Sequence, residues 1–269
     1  MILFDGNLHA KKLEEQILKA PKTFKEQELA IIQLGDNASS EKYVSLKLKV
    51  CERLGVLTKL YRLDYKSQSD VDSTKRLLLK LSEDVSVGSI IVQLPLPDSS
   101  LYPLLDLLPQ AKDIDILGIE SKNLFYTGNN GLESPVVRGV RYFLGTMLPT
   151  KAQSLRACII GYGELVGKPV NHFLKSQGYS VEINSNYTAG EKLAYDLIVL
   201  SVGIPNLVNP QDIKSGCNVI DFGSSVLSGK TTGDLNLNLP LDHLGVVSPS
   251  PGGMGPLVVR FLLMNHLHI

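Results

Sequence analysis

An ammonium group in the middle of an apolar helical face is costly unless it is paired or lines a cavity, and Lys47 stands in such a place. Over Ser40–Leu54, at about 100° per residue, Leu46, Val50, Tyr43, Leu54, Cys51, Val44 and Leu48 cover one apolar arc. Lys42, Lys49, Arg53, Glu52, Ser45 and Glu41 fill the rest, and Lys47 falls mid-arc, one turn after Tyr43. Desolvation there lowers an amine's pKa towards the range useful for acid–base work. The plainer alternative is a lysine that snorkels its stem along the core. Gln93 ends the apolar run Ser89–Leu94, just before Pro95-Leu96-Pro97. A fixed amide at a strand's carboxyl end can orient a lysine or a substrate carbonyl, or simply satisfy loop backbone. In Lys112-Asp113-Ile114-Asp115, two aspartates at alternate positions point the same way if the segment is extended. One carboxylate could then hold a ring that presents N–H groups; turn-forming Asx bonds are the structural alternative.

A second kind of chemistry needs backbone rather than side chains. Gly161-Tyr162-Gly163-Glu164-Leu165-Val166-Gly167-Lys168-Pro169 directly follows the strand-like Ala157–Ile160 and precedes a helical pattern. Glycines in that context let the chain approach a pyrophosphate at a helix N-terminus, although the third glycine falls one residue later than in the usual fingerprint. Gly203 and Gly223 also follow apolar strands, and tight packing turns are the alternative for the whole set. The constrained loop Pro249-Ser250-Pro251-Gly252-Gly253-Met254-Gly255-Pro256 feeds a last helix and could close the same pocket.

The elements that must position these groups read as alternating strands and helices. The periodicity predicts strands at Glu28–Leu34, Val56–Leu63 and Ser89–Leu94, with helices over about Ser40–Leu54 and Asp70–Leu81. A connecting helix, Arg138–Leu148, leads to a boundary at Pro149-Thr150-Lys151. A second series follows: Ala157–Ile160, a helix over Val166–Gln177 closed by Gly178, then Ser180–Ile183, Leu197–Ser201 and Asn218–Asp221. Short, fully apolar strands separated by helices imply an α/β fold with parallel sheets covered on both faces.

Composition removes several classes. Across 269 residues, Lys+Arg and Asp+Glu number 27 each, so the formal charge is zero and no broadly basic nucleic-acid surface exists. Three scattered cysteines and five histidines form neither a CxxC pair nor an HExxH arrangement, which argues against a disulfide framework or a metal site. The N-terminus shows no signal-peptide core and no apolar run approaches the ~18 residues of a membrane span. The expectation is a soluble protein of a reducing compartment.

Tyr43–Lys47 (YVSLK), Val92–Pro97 (VQLPLP), Lys112–Asp115 (KDID), the glycine loop Gly161–Pro169 and Pro249–Pro256 (PSPGGMGP) occur in an order and spacing that resemble the bifunctional methylenetetrahydrofolate dehydrogenase/methenyltetrahydrofolate cyclohydrolase family. The likeness runs from Leu3 to Asn265. It implies an N-terminal α/β catalytic domain, residues 1–138 with the C-terminal helix 256–269 packed back on it, and a C-terminal Rossmann domain, residues 139–255. It implies a folate in the cleft between them, NADP as cofactor with NAD as rival, no metal, and a cytoplasmic homodimer that binds neither nucleic acid nor membrane. The reaction pair would be oxidation of 5,10-methylenetetrahydrofolate to the methenyl form and hydrolysis of that cation to 10-formyltetrahydrofolate. Lys47 would be central to the hydrolysis, tuned by Gln93, with Asp115 holding the pterin and Tyr43 stacking on the aminobenzoyl group. Leu96, Pro251 and Gly252 would line the substrate; Gly161, Tyr162, Gly163, Val166, Gly167, Ser185, Gly203 and Gly223 would line the cofactor.

Four departures cluster where the resemblance places the redox step. Pro135-Val136-Val137-Arg138 replaces Pro-Cys-Thr-Pro, Ile116 replaces a glycine, Tyr162-Gly163 replaces Arg-Ser, and Val258 replaces a threonine. The alternatives are therefore a cyclohydrolase with weak or absent dehydrogenase activity, or a non-catalytic binder on the same scaffold.

Overall fold

The computed structural model describes residues 1–129, 132–148 and 155–269; the expected boundary at Pro149-Thr150-Lys151 lies outside the described residues. In chain order the elements are β1 (Ile2–Leu3), α1 (Gly6–Leu18), α2 (Lys22–Lys25), β2 (Glu28–Leu34), α3 (Ala38–Leu54), β3 (Thr58–Leu63), α4 (Gln68–Glu83) and β4 (Val87–Val92). Two 3₁₀ segments, Ser99–Leu107 and Gln110–Lys112, precede α5 (Ile119–Thr127) and α6 (Pro135–Met147). Then come β5 (Arg156–Ile160), α7 (Gly167–Ser176), β6 (Ser180–Asn184), β7 (Leu197–Leu200), β8 (Asn218–Asp221), β9 (Ser225–Leu227), β10 (Lys230–Thr232), β11 (Val246–Ser248) and α8 (Met254–His266). The chain divides into two compact units, Leu13–Pro135 with Val259–Ile269, and Met1–Lys12 with Val136–Val258.

The first of these units holds a three-stranded parallel sheet in the order β3-β2-β4. β2 and β4 are buried almost throughout, whereas β3 alternates between half-buried and exposed. That is what a central strand, a covered strand and an edge strand require of their sequences. α3 begins where Asn37 accepts hydrogen bonds from the Ser39 and Ser40 N–H groups, each at 3.0 Å, and ends at Gly55 with φ +69°. Both ends of this helix are thus set by local chemistry. α4 starts with a capping box between Ser67 and Asp70, and the Lys112 ammonium donates to the carbonyls of Leu81 and Asp84 at its far end, at 3.0 and 2.7 Å.

The second unit carries a six-stranded sheet, β1-β11-β8-β7-β5-β6, with every pairing parallel. Its chain leaves β5 for β6 on one side and crosses back to β7 on the other, so the strand order reverses between β5 and β7, where doubly wound sheets bind ligands. The N-terminal residues Met1–Lys12 belong to this unit, whereas the resemblance implies that they join the first domain. β1 is too short to announce itself by periodicity, yet it pairs with β11 through Ile2↔Val246 and Leu3↔Val247. The Gly6 N–H adds a 2.8 Å bond to the Gly252 carbonyl. A buried cluster that includes Cys158, Ile160, Ile198, Leu200, Val219 and Val247 anchors this sheet.

Candidate active site

Lys47 sits on the buried side of α3 with Val44, Val50, Cys51 and Leu54. It is only 7% exposed, and its Nζ donates a 2.9 Å hydrogen bond to Gln93 Oε1. Gln93 follows β4 directly; its N–H continues the sheet to the Ile32 carbonyl at 2.8 Å. Its Nε2 donates to the Leu94 carbonyl at 2.5 Å, which fixes the amide so that the oxygen faces the lysine. Of the two readings of each residue, the lysine is paired rather than snorkelled, and the amide does both jobs at once.

The two aspartates of Lys112–Asp115 divide the readings between them. The segment is a turn, not an extended strand, so their shared direction is lost. The Asp113 carboxylate accepts from the Leu117 N–H at 2.9 Å and the Gly118 N–H at 2.7 Å, the Asx-type role. Asp115 is buried and within electrostatic reach of Lys47. Burial raises its pKa to about 6, with the Asp113 charge adding and the Lys47 ammonium opposing. Burial likewise pushes the Lys47 ammonium below its ordinary value, while Asp115 and Cys51 pull it up. A carboxyl raised and an amine lowered in one site is how two groups come to exchange protons near neutrality.

Ile116, next in the chain, is buried and has φ +60°, a left-handed backbone that a β-branched residue adopts only under strain. Tyr43 is half-buried one turn before Lys47, and Leu96 is buried in the loop after Gln93. The sequence reading missed Asn265, whose Nδ2 donates to the Ile114 carbonyl at 3.0 Å and the Glu133 carbonyl at 2.9 Å, tying the aspartate turn to α8. Its signal was an amide inside the apolar run Phe261–Leu267. Pro251 and Gly252 belong to the other unit: Pro251 is exposed, and Gly252 has φ +98°.

In that unit the turn between β5 and α7 is closed on glycine. A Cβ on Gly161, at φ +96°, would lie 2.6 Å from the Ser201 carbonyl oxygen, and one on Gly167 would lie 2.3 Å from the Gly161 oxygen. Tyr162 and Gly163 are exposed on this turn, and Val166 caps α7. The Tyr162 hydroxyl accepts from Asn171 Nδ2 at 3.2 Å. Gly163 meets nothing, so its position is open to any side chain. Ser185 is exposed just past β6. A glycine cradle at the carboxyl end of β5, at the reversal of strand order and opening a helix, fits a dinucleotide pyrophosphate. Gly203 and Gly223 have their N–H groups spent inside the protein, on Asp234 at 2.9 Å and Asp221 at 2.7 Å. What they offer a ligand is close approach of a turn, not a hydrogen bond.

Comparison with known proteins agrees with both halves. The profile described as tetrahydrofolate dehydrogenase/cyclohydrolase, catalytic domain, matches residues 4–115. The companion profile, tetrahydrofolate dehydrogenase/cyclohydrolase, NAD(P)-binding domain, matches residues 136–269. The bifunctional protein FolD of Campylobacter jejuni is 34% identical over 98% of this chain and 96% of its own length. That of Halothermothrix orenii is 28% identical over 98% and 95%. The solved structure of the Campylobacter jejuni bifunctional methylenetetrahydrofolate dehydrogenase/cyclohydrolase superposes with a TM-score of 0.84 at 29% identity, covering 100% of this chain and 98% of that one. The Trypanosoma brucei enzyme, solved with NADP and an inhibitor, shares the fold at a TM-score of 0.85 and 23% identity, covering 99% and 96%.

Proposed function

Because the chain belongs to the tetrahydrofolate dehydrogenase/cyclohydrolase family, we propose that it oxidises 5,10-methylenetetrahydrofolate to the methenyl form and hydrolyses that cation to 10-formyltetrahydrofolate. The observation that carries the reading is the buried Lys47–Gln93 pair with Asp115 beside it. The methenyl carbon is already electrophilic, so hydrolysis needs a positioned water and a proton acceptor. Water oxygen bonds to that carbon and passes its proton to neutral Lys47 Nζ. The hydroxyl left on the carbon then gives up its proton as the C=O forms and the bond to N5 breaks, N5 takes up a proton in exchange, and the formyl group stays on N10. Gln93 Oε1 holds the ammonium formed on the way. Asp115, ionised above about pH 6, accepts hydrogen bonds from the pterin ring, and Tyr43 stacks on the aminobenzoyl group. Leu96 completes the folate contacts within this unit.

The bound dinucleotide supplies the acceptor for the hydride that leaves the methylene carbon. Gly161, Tyr162, Gly163, Val166 and Gly167 would hold its pyrophosphate, with Gly203 and Gly223 at neighbouring turns. We assign NADP as the dinucleotide. Ser185 stands exposed past β6 to meet a 2′-phosphate, and Glu182, within β6, has its exposed carboxylate 4.0 Å from Arg156. The resemblance extends the proposal to a cytoplasmic homodimer, which fractionation and sedimentation velocity test.

The deciding experiment mixes purified protein with 5,10-methylenetetrahydrofolate and follows absorbance with NADP and, separately, NAD. Reduction faster with NADP is the expected result. No reduction with either, beside rapid hydrolysis of added methenyltetrahydrofolate, would establish the second reading, a cyclohydrolase without the redox step. That reading is favoured by the departures at Ile116, Val136, Val137, Tyr162 and Val258.

A further inference from the structure

At the carboxyl end of β7 the chain turns through Val202, Gly203 and Ile204. Three successive N–H groups converging on one point make a concavity that binds anions. Here the anion is the protein's own. Asp234 Oδ2 accepts from the Val202 N–H at 2.6 Å, and Oδ1 accepts from Gly203 and Ile204, both at 2.9 Å. Asp234 is fully buried, and these N–H groups oppose the rise that burial imposes on its pKa.

Asp234 is in turn placed by a second buried carboxylate. Asp221, at the end of β8, accepts from the Gly223 N–H at 2.7 Å, the Asp234 N–H at 3.2 Å and the Leu235 N–H at 2.9 Å. Two glycines make the approach possible. A Cβ on Gly223 would stand 2.3 Å from Asp234 Cγ, and one on Gly233 would stand 2.1 Å from Asp221 Oδ2. Building two carboxylates and two spacer glycines under one turn is expensive in desolvation. An ordinary loop would leave its N–H groups to water.

We infer that Asp234 is a positioning residue for the dinucleotide, locking the Val202–Ile204 turn so that its exposed side chains form a fixed apolar rest for one of the ligand's planar rings. The turn lies on β7, one of the two strands flanking the reversal of strand order. Val202 and Ile204 are 39% and 49% exposed there although both are apolar. With its N–H groups filled from within, the turn offers nothing to a phosphate, which leaves the pyrophosphate to the Gly161–Gly167 cradle. The inference rests on the dinucleotide reading above.

The test measures binding of NADPH and of NADH directly, by fluorescence titration, on the wild type, Asp234→Ala and Asp234→Asn, with methenyl hydrolysis as the control reaction. Asp234→Ala should weaken the dinucleotide that the wild type prefers by about 10- to 100-fold, since charge-assisted bonds to three N–H groups are lost. KM for that dinucleotide should rise alongside, while kcat at saturation stays within about threefold. Asp234→Asn keeps an acceptor for Gly203 and Ile204 but turns an NH₂ towards Val202, so its loss should be smaller, about 3- to 10-fold. Binding within twofold of wild type in Asp234→Ala overturns the inference; if that variant does not fold, unaltered binding in Asp234→Asn does so. A parallel loss of methenyl hydrolysis in a folded variant also overturns it, because the residue would then serve the fold at large. If the wild type itself binds neither dinucleotide, the redox reading fails and this inference falls with it.

Discussion

In the proposed function, the Lys47 site and the Gly161–Gly167 turn would do their chemistry with opposite parts of the chain. At Lys47 the groups concerned are buried side chains, where one amide oxygen accepts from the lysine at 2.9 Å and burial moves two pKa values. At the glycine turn they would be backbone N–H donors, with the neighbouring Tyr162 exposed and the position of Gly163 open. The difference bears on what each region tolerates: no other atoms could replace those of Lys47, Gln93 and Asp115, whereas Tyr162 and Gly163 stand on a turn held by Gly161 and Gly167, whose Cβ positions are filled by backbone.

The sharpest way to break that contrast is Lys47→Met. Methenyl hydrolysis should fall about 10³-fold, within the range of about 10²–10⁴ for a general base, while dinucleotide affinity stays within twofold. Stability at neutral pH should not drop, because an apolar residue of similar length replaces a buried ammonium, and Asp115, deprived of its counter-charge, should titrate above 6. Retained hydrolysis would show that Lys47 is not the proton acceptor. Gln93→Leu should cost less, about 10- to 100-fold. Gln93→Glu should move the acid limb of the pH–rate profile to higher pH, because a carboxylate beside Lys47 stabilises the ammonium and so removes the neutral base. An unmoved limb would separate Gln93 from the lysine's titration.

Asp115 gives the next effect, and its sign follows from burial. Its pKa is raised in the folded protein to about 6, so the folded state holds the proton more tightly than the unfolded chain. The associated stability is fully present below pH ~4 and is lost as pH rises through about 6. Function runs the other way: folate KM should rise as pH falls below 6, by up to about tenfold per unit. Asp115→Asn should abolish both dependences, leaving the stability difference from wild type to grow between pH 4 and 6. A wild-type KM flat across that range would mean that the ionised carboxylate does not hold the pterin.

The sequence made these side chains legible for physical reasons that do not extend to everything around them. Helical periodicity puts Lys47 inside an apolar arc, and strand periodicity puts Gln93 at a strand's end; both signals are local. The largely apolar β2 and β4 announce a buried parallel sheet in the same way. Two-residue β1 has no period to read, and its place beside β11 depends on residues more than 240 positions away. Asp234 was equally silent, since one aspartate after a short hairpin looks like a turn residue until the N–H groups of Val202, Gly203 and Ile204 are seen to converge on it. The Asp113–Asp115 pair was half legible: the spacing marked both residues, but only the turn separates the one that binds backbone from the one that faces Lys47.

Ile116 is where the side-chain site borrows a backbone device from the other region, and the smallest prediction isolates it. The residue is buried at φ +60° immediately after Asp115, where a left-handed backbone costs a residue with a Cβ about 1–2 kcal/mol. Replacing it by glycine alone would not reveal that strain, because the loss of a buried side chain outweighs it. The informative comparison is between Ile116→Ala and Ile116→Gly, which lose nearly the same packing and differ chiefly in backbone freedom. At an ordinary position alanine is the more stable of the two by about 0.4–1 kcal/mol, because it restricts the unfolded chain. Here the order should reverse, with the glycine variant melting about 1–3 °C higher, since a net gain of up to about 1 kcal/mol corresponds to a few degrees in a chain of this size. Alanine melting at or above glycine would mean that the turn after Asp115 is unstrained, and that the carboxylate is aimed by Asn265 and the Asp113 cap alone.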